Sequence, residues 1–375
     1  MKKNLLSGNT ISLVTCGVLL SSSLAFGADS INSAFKEGKA SGSLALYGEH
    51  HDFKDGDANT GFGNGNATVG FETGSFYGFT AKAEFKGNLD LGEVDKGNRD
   101  DSFANNTLMT EAYIKYTMDG LAVSAGRQAI DLEWMGDYHE SVVAAITAIP
   151  DTTVVLGYSQ RKAESGIDVS EDFSEFNDDE GAYVLDVKYA GLKTLEFNPY
   201  AYSVPNVANW YGLKNTFTTD MFGAIAHYAA SNEDVISVED GSIGHLELNT
   251  TIEDFTAAVG YIKTDKDNGA GSMDTVGDNI SPFDTGNNTY AEDAKTLYGS
   301  VGYSIADIEL GALYGETKFD ADYKEKELNL TVGYSITEAL ATSLLYRDVN
   351  ADENNEDVDD KYFLACVEYT FYYKH

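Results

Sequence analysis

Segments of about ten residues in which every second residue is apolar recur along this chain, and that is the length of a tilted strand crossing a bilayer. In "TLYGSVGYS", Leu297, Gly299, Val301 and Tyr303 share one face, and in "KELNLTVGYS" Leu328, Leu330, Val332 and Tyr334 do the same. The last such segment, "KYFLACVEYTFYY", sets Phe363, Ala365, Val367, Tyr369, Phe371 and Tyr373 on one side. Alternation by itself also fits a soluble sandwich with one wet face. Three further features favour the membrane. Gly-Tyr recurs at strand ends (157–158, 260–261, 302–303, 333–334), as an aromatic girdle requires. Short turns ("SIAD", "SITEA", "IPDT", "MDG") alternate with long acidic connections. The chain also ends on an aromatic-rich strand.

The short/long alternation allows a count. Strands are expected at 42–53, 65–75, 79–89, 108–118, 121–130, 139–149, 153–163, 181–190, 194–204, 209–217, 221–230, 242–250, 254–263, 294–303, 308–317, 326–335, 338–348 and 360–373. That is an all-β transmembrane antiparallel barrel of eighteen strands, with short periplasmic turns, long acidic extracellular loops and both termini on the periplasmic side. Segments 139–149, apolar on both faces, and 209–217 carry the weakest patterns, and without them the count is sixteen.

Residues 1–27 read as a secretory signal peptide. Lys2 and Lys3 precede an apolar core from Ile11 to Leu20, and small Ala25 and Gly27 stand before Ala28. That core is too short to span a bilayer as a helix. Residues 28–375 then form one barrel domain in the cell outer membrane. Cys366 is the only cysteine left in it, so no intrachain disulfide forms. The leader takes two lysines from the 25 basic residues, leaving 23 against 61 acidic ones, a net charge of −38. Such a balance excludes nucleic acid as a default partner. It favours cations, or divalent ions bridging carboxylates to other anions such as lipopolysaccharide. Small hydrophilic solutes and ions are the expected cargo.

Assigning the apolar face to lipid turns the other face inward. A charge facing lipid at the midplane costs roughly 2–4 kcal/mol. Lys82, Glu84, Lys86, Glu111, Lys115, Arg161, Asp186, Lys188, His245, Glu247, Arg347 and Glu368 are therefore expected to line a pore. Most of the negative surplus falls in the connections. "EDFSEFNDDE" (171–180) holds six acids, "DVNADENNEDVDD" (348–360) seven, and 264–293 another seven with one lysine. These read as solvated loops around a negative mouth that concentrates cations at low ionic strength. "DGDANT" (55–60) and "DVNADE" (348–353) begin like calcium loops but lack the glycine and glutamate such loops need. No cofactor or tight metal site is expected, only weak shared binding of divalent cations such as Ca2+.

The stretch "SAGRQAIDLEWMGDYHE" (124–140) stands apart, with a rare arginine beside several acids, a tryptophan and a histidine. It has no recognised metal-ligand spacing and no serine, threonine or cysteine nucleophile set beside a base, so no enzyme is expected. Regular alternation would put Arg127 on the lipid side with Leu121, Val123 and Ala125, so a bulge at Gly126 or a reversed phase is expected. Arg127, Asp131, Trp134, Asp137 and His139 then form a pore constriction.

"ADSINSAFKEGKASGSLALY" (28–47) and "GRQAIDLEWMGDYHE" followed by "AIPDTTVVLGY" resemble the Opr-type, OprD-like outer-membrane porins, a group that includes the major porins of ε-proteobacteria. "GSIGH", "GYIKTD", "SPFDTG" and "YGET" extend the likeness over most of the chain after the leader. The resemblance implies an eighteen-stranded barrel, a homotrimer, passive diffusion of small hydrophilic solutes and an inward-folded loop at the constriction. Gly126, Arg127, Gln128, Asp131 and Asp137 are the family-like positions. Few arginines face inward here, so the family's arginine ladder is not evident. A structural or adhesive barrel without an open pore is the alternative. Its lumen would need bulky filling, whereas these inner faces are rich in Gly, Ser, Thr and charge.

Overall fold

The computed structural model describes residues 27–374 apart from 54–57, 101, 178, 236–237, 287, 321–322 and 354–355. The expected leader lies outside the described residues except for Gly27. Eighteen long strands form a closed wall: β1 (Lys39–Phe53), β2 (Thr60–Glu72), β3 (Phe79–Glu93), β4 (Thr107–Met118), β5 (Leu121–Ala129), β6 (Tyr138–Ile146) and β7 (Thr152–Ala163). The two-residue β8 (Ser174–Glu175) is extra, and the wall resumes with β9 (Ala182–Leu192), β10 (Leu195–Val204), β11 (Ala208–Thr218), β12 (Phe222–Glu233) and β13 (Ser242–Ile252). It continues through β14 (Phe255–Thr264), β15 (Lys295–Ile305), β16 (Ile308–Phe319), β17 (Tyr323–Ser335), β18 (Leu340–Glu353) and β19 (Glu356–Lys374).

Neighbours in sequence pair antiparallel all round the wall, and β1 closes on β19 from Lys39↔Lys374 to Phe53↔Asp360. Closure pairs the first strand with the last and leaves the sheet no edge strand, which a structure in lipid requires. The count is eighteen because β6 and β11, the two weakly patterned segments, both form.

The two faces differ as the alternation requires. Leu44, Leu46, Val69, Phe85, Ile114, Leu246, Leu248, Leu297 and Val301 are exposed on the outside, while Ala45, Tyr47, Asn64, Lys86, Lys115, Asp186 and His245 are buried on the inside. The rim with short turns carries its own exposed apolar ring, which includes Phe79, Ile149, Phe222, Phe255, Ile305 and Ile336. At this rim a short helix, α1 (Ile31–Lys36), is capped by Ser30, whose Oγ accepts from Ser33 N at 3.1 Å.

One expectation needs correcting. The acids of 348–360 do not form the expected solvated loop: β18 and β19 run through the described ones as a hairpin, paired Asp348↔Lys361 and Val349↔Asp360. Alternation continues past the apolar belt, with Val349 and Ala351 buried, so backbone pairing prevails over the charge. Of the two calcium-like stretches, "DVNADE" is thus strand, and 55–57 of the other lie outside the described residues.

A closed barrel should keep its structure in SDS and change gel mobility only on boiling. Far-UV dichroism dominated by helix would contradict the architecture.

Candidate functional site: an inward flap and two inserted connections

Gly126 sits at φ 128°, and a Cβ there would stand 2.1 Å from the carbonyl oxygen of Ala112. Only glycine permits this approach of β5 to β4. Pairing of β5 with β4 stops at Arg127↔Ala112, and pairing of β7 with β9 stops at Ser159↔Ala182. Between them, β5, β6 and β7 stay paired out to Ala129, Tyr138 and Ala163. The three strand ends form a flap released from the wall on both sides. The expected bulge is not at Gly126, where register is continuous. Register shifts lie instead between Glu84 and Phe85 on β3, and between Glu140 and Ser141 on β6.

Residues 130–137 form the flap's tip, closed by Ile130 N donating to Asp137 O at 2.8 Å and Leu132 N to Met135 O at 2.9 Å. Asp137 adopts φ 71°, and its carboxylate lies 3.3 Å from Lys162 Nζ. The tip crosses to strands that are not its neighbours. Trp134 is 0 % exposed and its Nε1 donates to Tyr200 OH on β10 at 2.8 Å. Glu133 pairs with Lys214 on β11 and lies 4.0 Å from His227 Nδ1 on β12. Tyr200 OH in turn meets His227 Nε2 at 2.6 Å. His139, also fully buried, bonds Ser159 Oγ at 2.9 Å and Gly136 O at 2.6 Å and stacks on Phe176.

The flap's other face carries Arg127. Its Nε donates to Glu140 Oε1 at 2.8 Å, its guanidinium also donates to Met109 O at 3.1 Å, and it lies 4.2 Å over the ring of Phe173. Glu140 also meets Arg161 at 3.6 Å. Phe173 belongs to the connection 164–181, which enters the barrel. Lys86 Nζ donates to Ser165 Oγ at 2.9 Å and Val169 O at 3.1 Å, and Asn64 donates to Ile167 O at 3.1 Å. Arg127 is thus met by Glu140, Met109 O and Phe173, which offsets the cost of placing it on the side of Ala125.

A second inserted connection, 265–294, was expected at the solvated mouth. Its Met273, Val276 and Ile280 instead pack in one buried cluster with Trp134, Met135, Tyr202 and Trp210. Asn279 donates to Leu132 O at 2.9 Å, and Gly136 N donates to Val276 O at 3.4 Å. Glu327 accepts from Thr285 N at 3.1 Å and Gly286 N at 2.9 Å, while Arg347 spans Asp284 at 3.0 Å and Asp360 at 2.9 Å. Acidic composition hid the apolar residues Met273, Val276, Ile280 and Phe283, three or four apart, which signal a buried segment. Glu133, Lys214, His227 and Tyr200 were also not singled out, because strand phase alone does not show what crosses the barrel to meet them.

The remaining inner-face charges are mostly met by partners on the same or nearby strands. Lys82 pairs with Glu111 and, at 3.3 Å, with Glu84; Lys115 reaches Glu72 at 3.7 Å; and Lys188 reaches Glu196 at 3.9 Å. Asp186 accepts from Asn198 at 3.0 Å, and Tyr298 OH bonds His245 at 2.9 Å and Glu247 at 2.6 Å. Glu368 shares its face with buried Cys366 and stands opposite Ala45 and Ala341. Asp131 lies 3.5 Å from Asn279 Nδ2. Among the described residues no group of three or more His, Cys, Asp or Glu is placed to hold a metal ion.

Burial raises the Glu133 carboxyl above its ordinary 4.5, with Lys214 opposing the shift. A group that binds its proton more tightly in the docked tip favours docking most below the ordinary value, and that advantage is lost as pH rises through the raised one. Glu133→Gln should therefore remove part of the pH dependence of tip docking, read as protease cleavage of 130–137 as pH is raised from below 4.5. Identical profiles in the two proteins would contradict this.

No family model and no curated sequence matches the chain. Solved structures do. Pseudomonas aeruginosa OpdO superposes with a TM-score of 0.75 at 14 % identity over 91 % of this chain and 99 % of that one. Acinetobacter baumannii OccAB4 gives 0.71 at 15 % identity, covering 90 % and 98 %, and P. aeruginosa OccK8 (OprE) gives 0.73 at 13 %, covering 90 % and 99 %. An eighteen-strand closed wall joined to these superpositions over nine-tenths of its length gives the chain the fold of the Opr- and Occ-type outer-membrane porins.

Proposed function

We propose that the protein is an outer-membrane porin, a water-filled channel for passive diffusion of ions and small hydrophilic solutes with a preference for cations. One observation supports this reading: within a closed wall, apolar outside and charged inside, the tip of a flap leaves its own strands and bonds Tyr200 on β10 and Lys214 on β11. Arg127, Asp131, Trp134, Asp137 and His139 belong to the narrow region, with Trp134 and His139 holding it in place and Arg127, Asp131 and Asp137 bordering the path. The twelve inner-face charges line the path above and below it. A homotrimer, and divalent cations bridging surface carboxylates to lipopolysaccharide phosphates, complete the proposal.

The proposed cation preference rests on the excess of 61 acidic over 25 basic residues, whose field is felt over about 10 Å at 0.1 M salt and about 3 Å at 1 M. In a planar bilayer the reversal potential under a salt gradient should show cation selectivity that weakens as ionic strength rises and again when millimolar Ca2+ is added. Anion preference at low salt would mean that Lys82, Lys115, Arg127, Arg161 and Lys188 control permeation. Insertion without conductance steps would favour the second reading, a structural barrel, which the buried cluster around Trp134 inside the wall supports.

A further inference from the structure

The helix α1 lies on the outside of the barrel at the short-turn rim, and its position is fixed from three sides. Ala28 N donates to Ser75 O at 2.7 Å and Gly74 N donates to Ala34 O at 2.8 Å, which seats the helix on the turn between β2 and β3. The chain then passes so close to Phe71 that a Cβ at Gly38 would stand 2.3 Å from its ring. Phe71 follows exposed Val69 by two residues and so shares its outward face. The Phe35 ring stacks on Phe71 at 6.0 Å and 11°.

What the helix presents outward is apolar. Ile31 and Phe35 are four apart, hence on one helical face, and are 60 % and 57 % exposed. Ala34, on the side toward the turn, is buried. The apolar pair does not end the hydrophobic surface. It continues the outer belt through Phe71 and Val69, at the level of the exposed rim ring that includes Phe79, Phe222 and Ile305. Lys36 lies beside it with a stem long enough to reach a headgroup while its methylenes stay in the apolar layer.

We propose that α1 is an interfacial anchor whose Ile31 and Phe35 insert into the phospholipid leaflet at the short-turn rim. This rests on the outer-membrane reading above. The occupant is lipid because the patch is continuous with the surface already in lipid and lies at its edge, where aromatic side chains sit at the headgroup level. The anchor places residues 28–38 against the leaflet beside β1 and β2.

The test uses the full-length protein reconstituted in vesicles of ordinary phospholipid or of phospholipid brominated on its acyl chains. The native tryptophans Trp134 and Trp210 are 0 % and 1 % exposed inside the wall and supply an unquenched background. Phe35→Trp, and Ile31→Trp as an independent second variant, should each lose most of their added emission in brominated lipid. Leu246→Trp, in the middle of the outer belt, reports whether the barrel itself is embedded. Quenching at Leu246→Trp without quenching at either helix position overturns the anchor alone, whether water or another protein chain covers the helix. No quenching at Leu246→Trp overturns the membrane reading on which the anchor rests.

Discussion

Replacing Trp134 with alanine is expected to give larger and noisier single-channel currents than the native protein. The indole fills the centre of the cluster that holds the flap's tip to Tyr202, Trp210 and the inserted residues Met273 and Val276. Removing a buried tryptophan costs about 3–5 kcal/mol. Here the loss also leaves Tyr200 OH without its indole donor. Such a sum cannot unfold a wall closed by eighteen paired strands, so it falls on the element with the fewest other attachments. Hydrogen exchange should accelerate in 130–137 and 272–283 and remain slow in the belt strands. A channel with native conductance and native exchange in both segments would show that the tip is held by something other than this cluster.

Charge reversal at Arg127 is expected to change ion selectivity far more than reversal at Lys266. The Arg127 guanidinium lies inside the flap, with Glu140, Met109 O and Phe173 all in contact. Arg127→Glu removes the positive partner of Glu140 and sets two carboxylates a few ångströms apart where salt screens poorly. Selectivity should move toward cations, and the flap should be pushed away from 164–181. Lys266 is exposed on the long β14–β15 connection, in contact with bulk salt, and its reversal should be nearly silent at moderate ionic strength. Combining Arg127→Glu with Glu140→Arg should restore much of the native behaviour, because the pair faces itself across the β5–β6 register. Equal small effects at Arg127 and Lys266 would remove Arg127 from the narrow region.

The wall was legible in the sequence because lipid enforces it residue by residue. Leu246, Leu248, Leu297 and Val301 are exposed outside, and His245, Tyr298 and Lys115 are buried inside, as a period of two demands. Inside the barrel nothing enforces a period. The connection 265–294 looks like a hydrated acidic loop in composition, yet Met273, Val276 and Ile280 pack against Trp134 and its acids are used singly, as Asp284 is by Arg347 and Asp278 by Tyr290. The flap was half legible. Its arginine, tryptophan and acids stood out, but the glycine acts through φ and the carbonyl of Ala112 rather than through a bulge. The role of Glu133 was not legible because its partners, Lys214 and His227, lie about eighty and ninety residues further on.

Closure of the wall also sets the order of assembly. Lys39 pairs with Lys374, so the seam joins the first strand to the last and its contacts span almost the whole described chain. Loop-closure entropy for so distant a pair must be met before any of its hydrogen bonds form, which makes the seam the slow step of folding. Until β19 arrives, β1 presents a free edge of fifteen residues, long enough to recruit a wrong strand. The whole of 39–374 must therefore be present before the wall can seal, and a chain shortened by even its last strand would remain an open sheet however sound the other seventeen wall strands were.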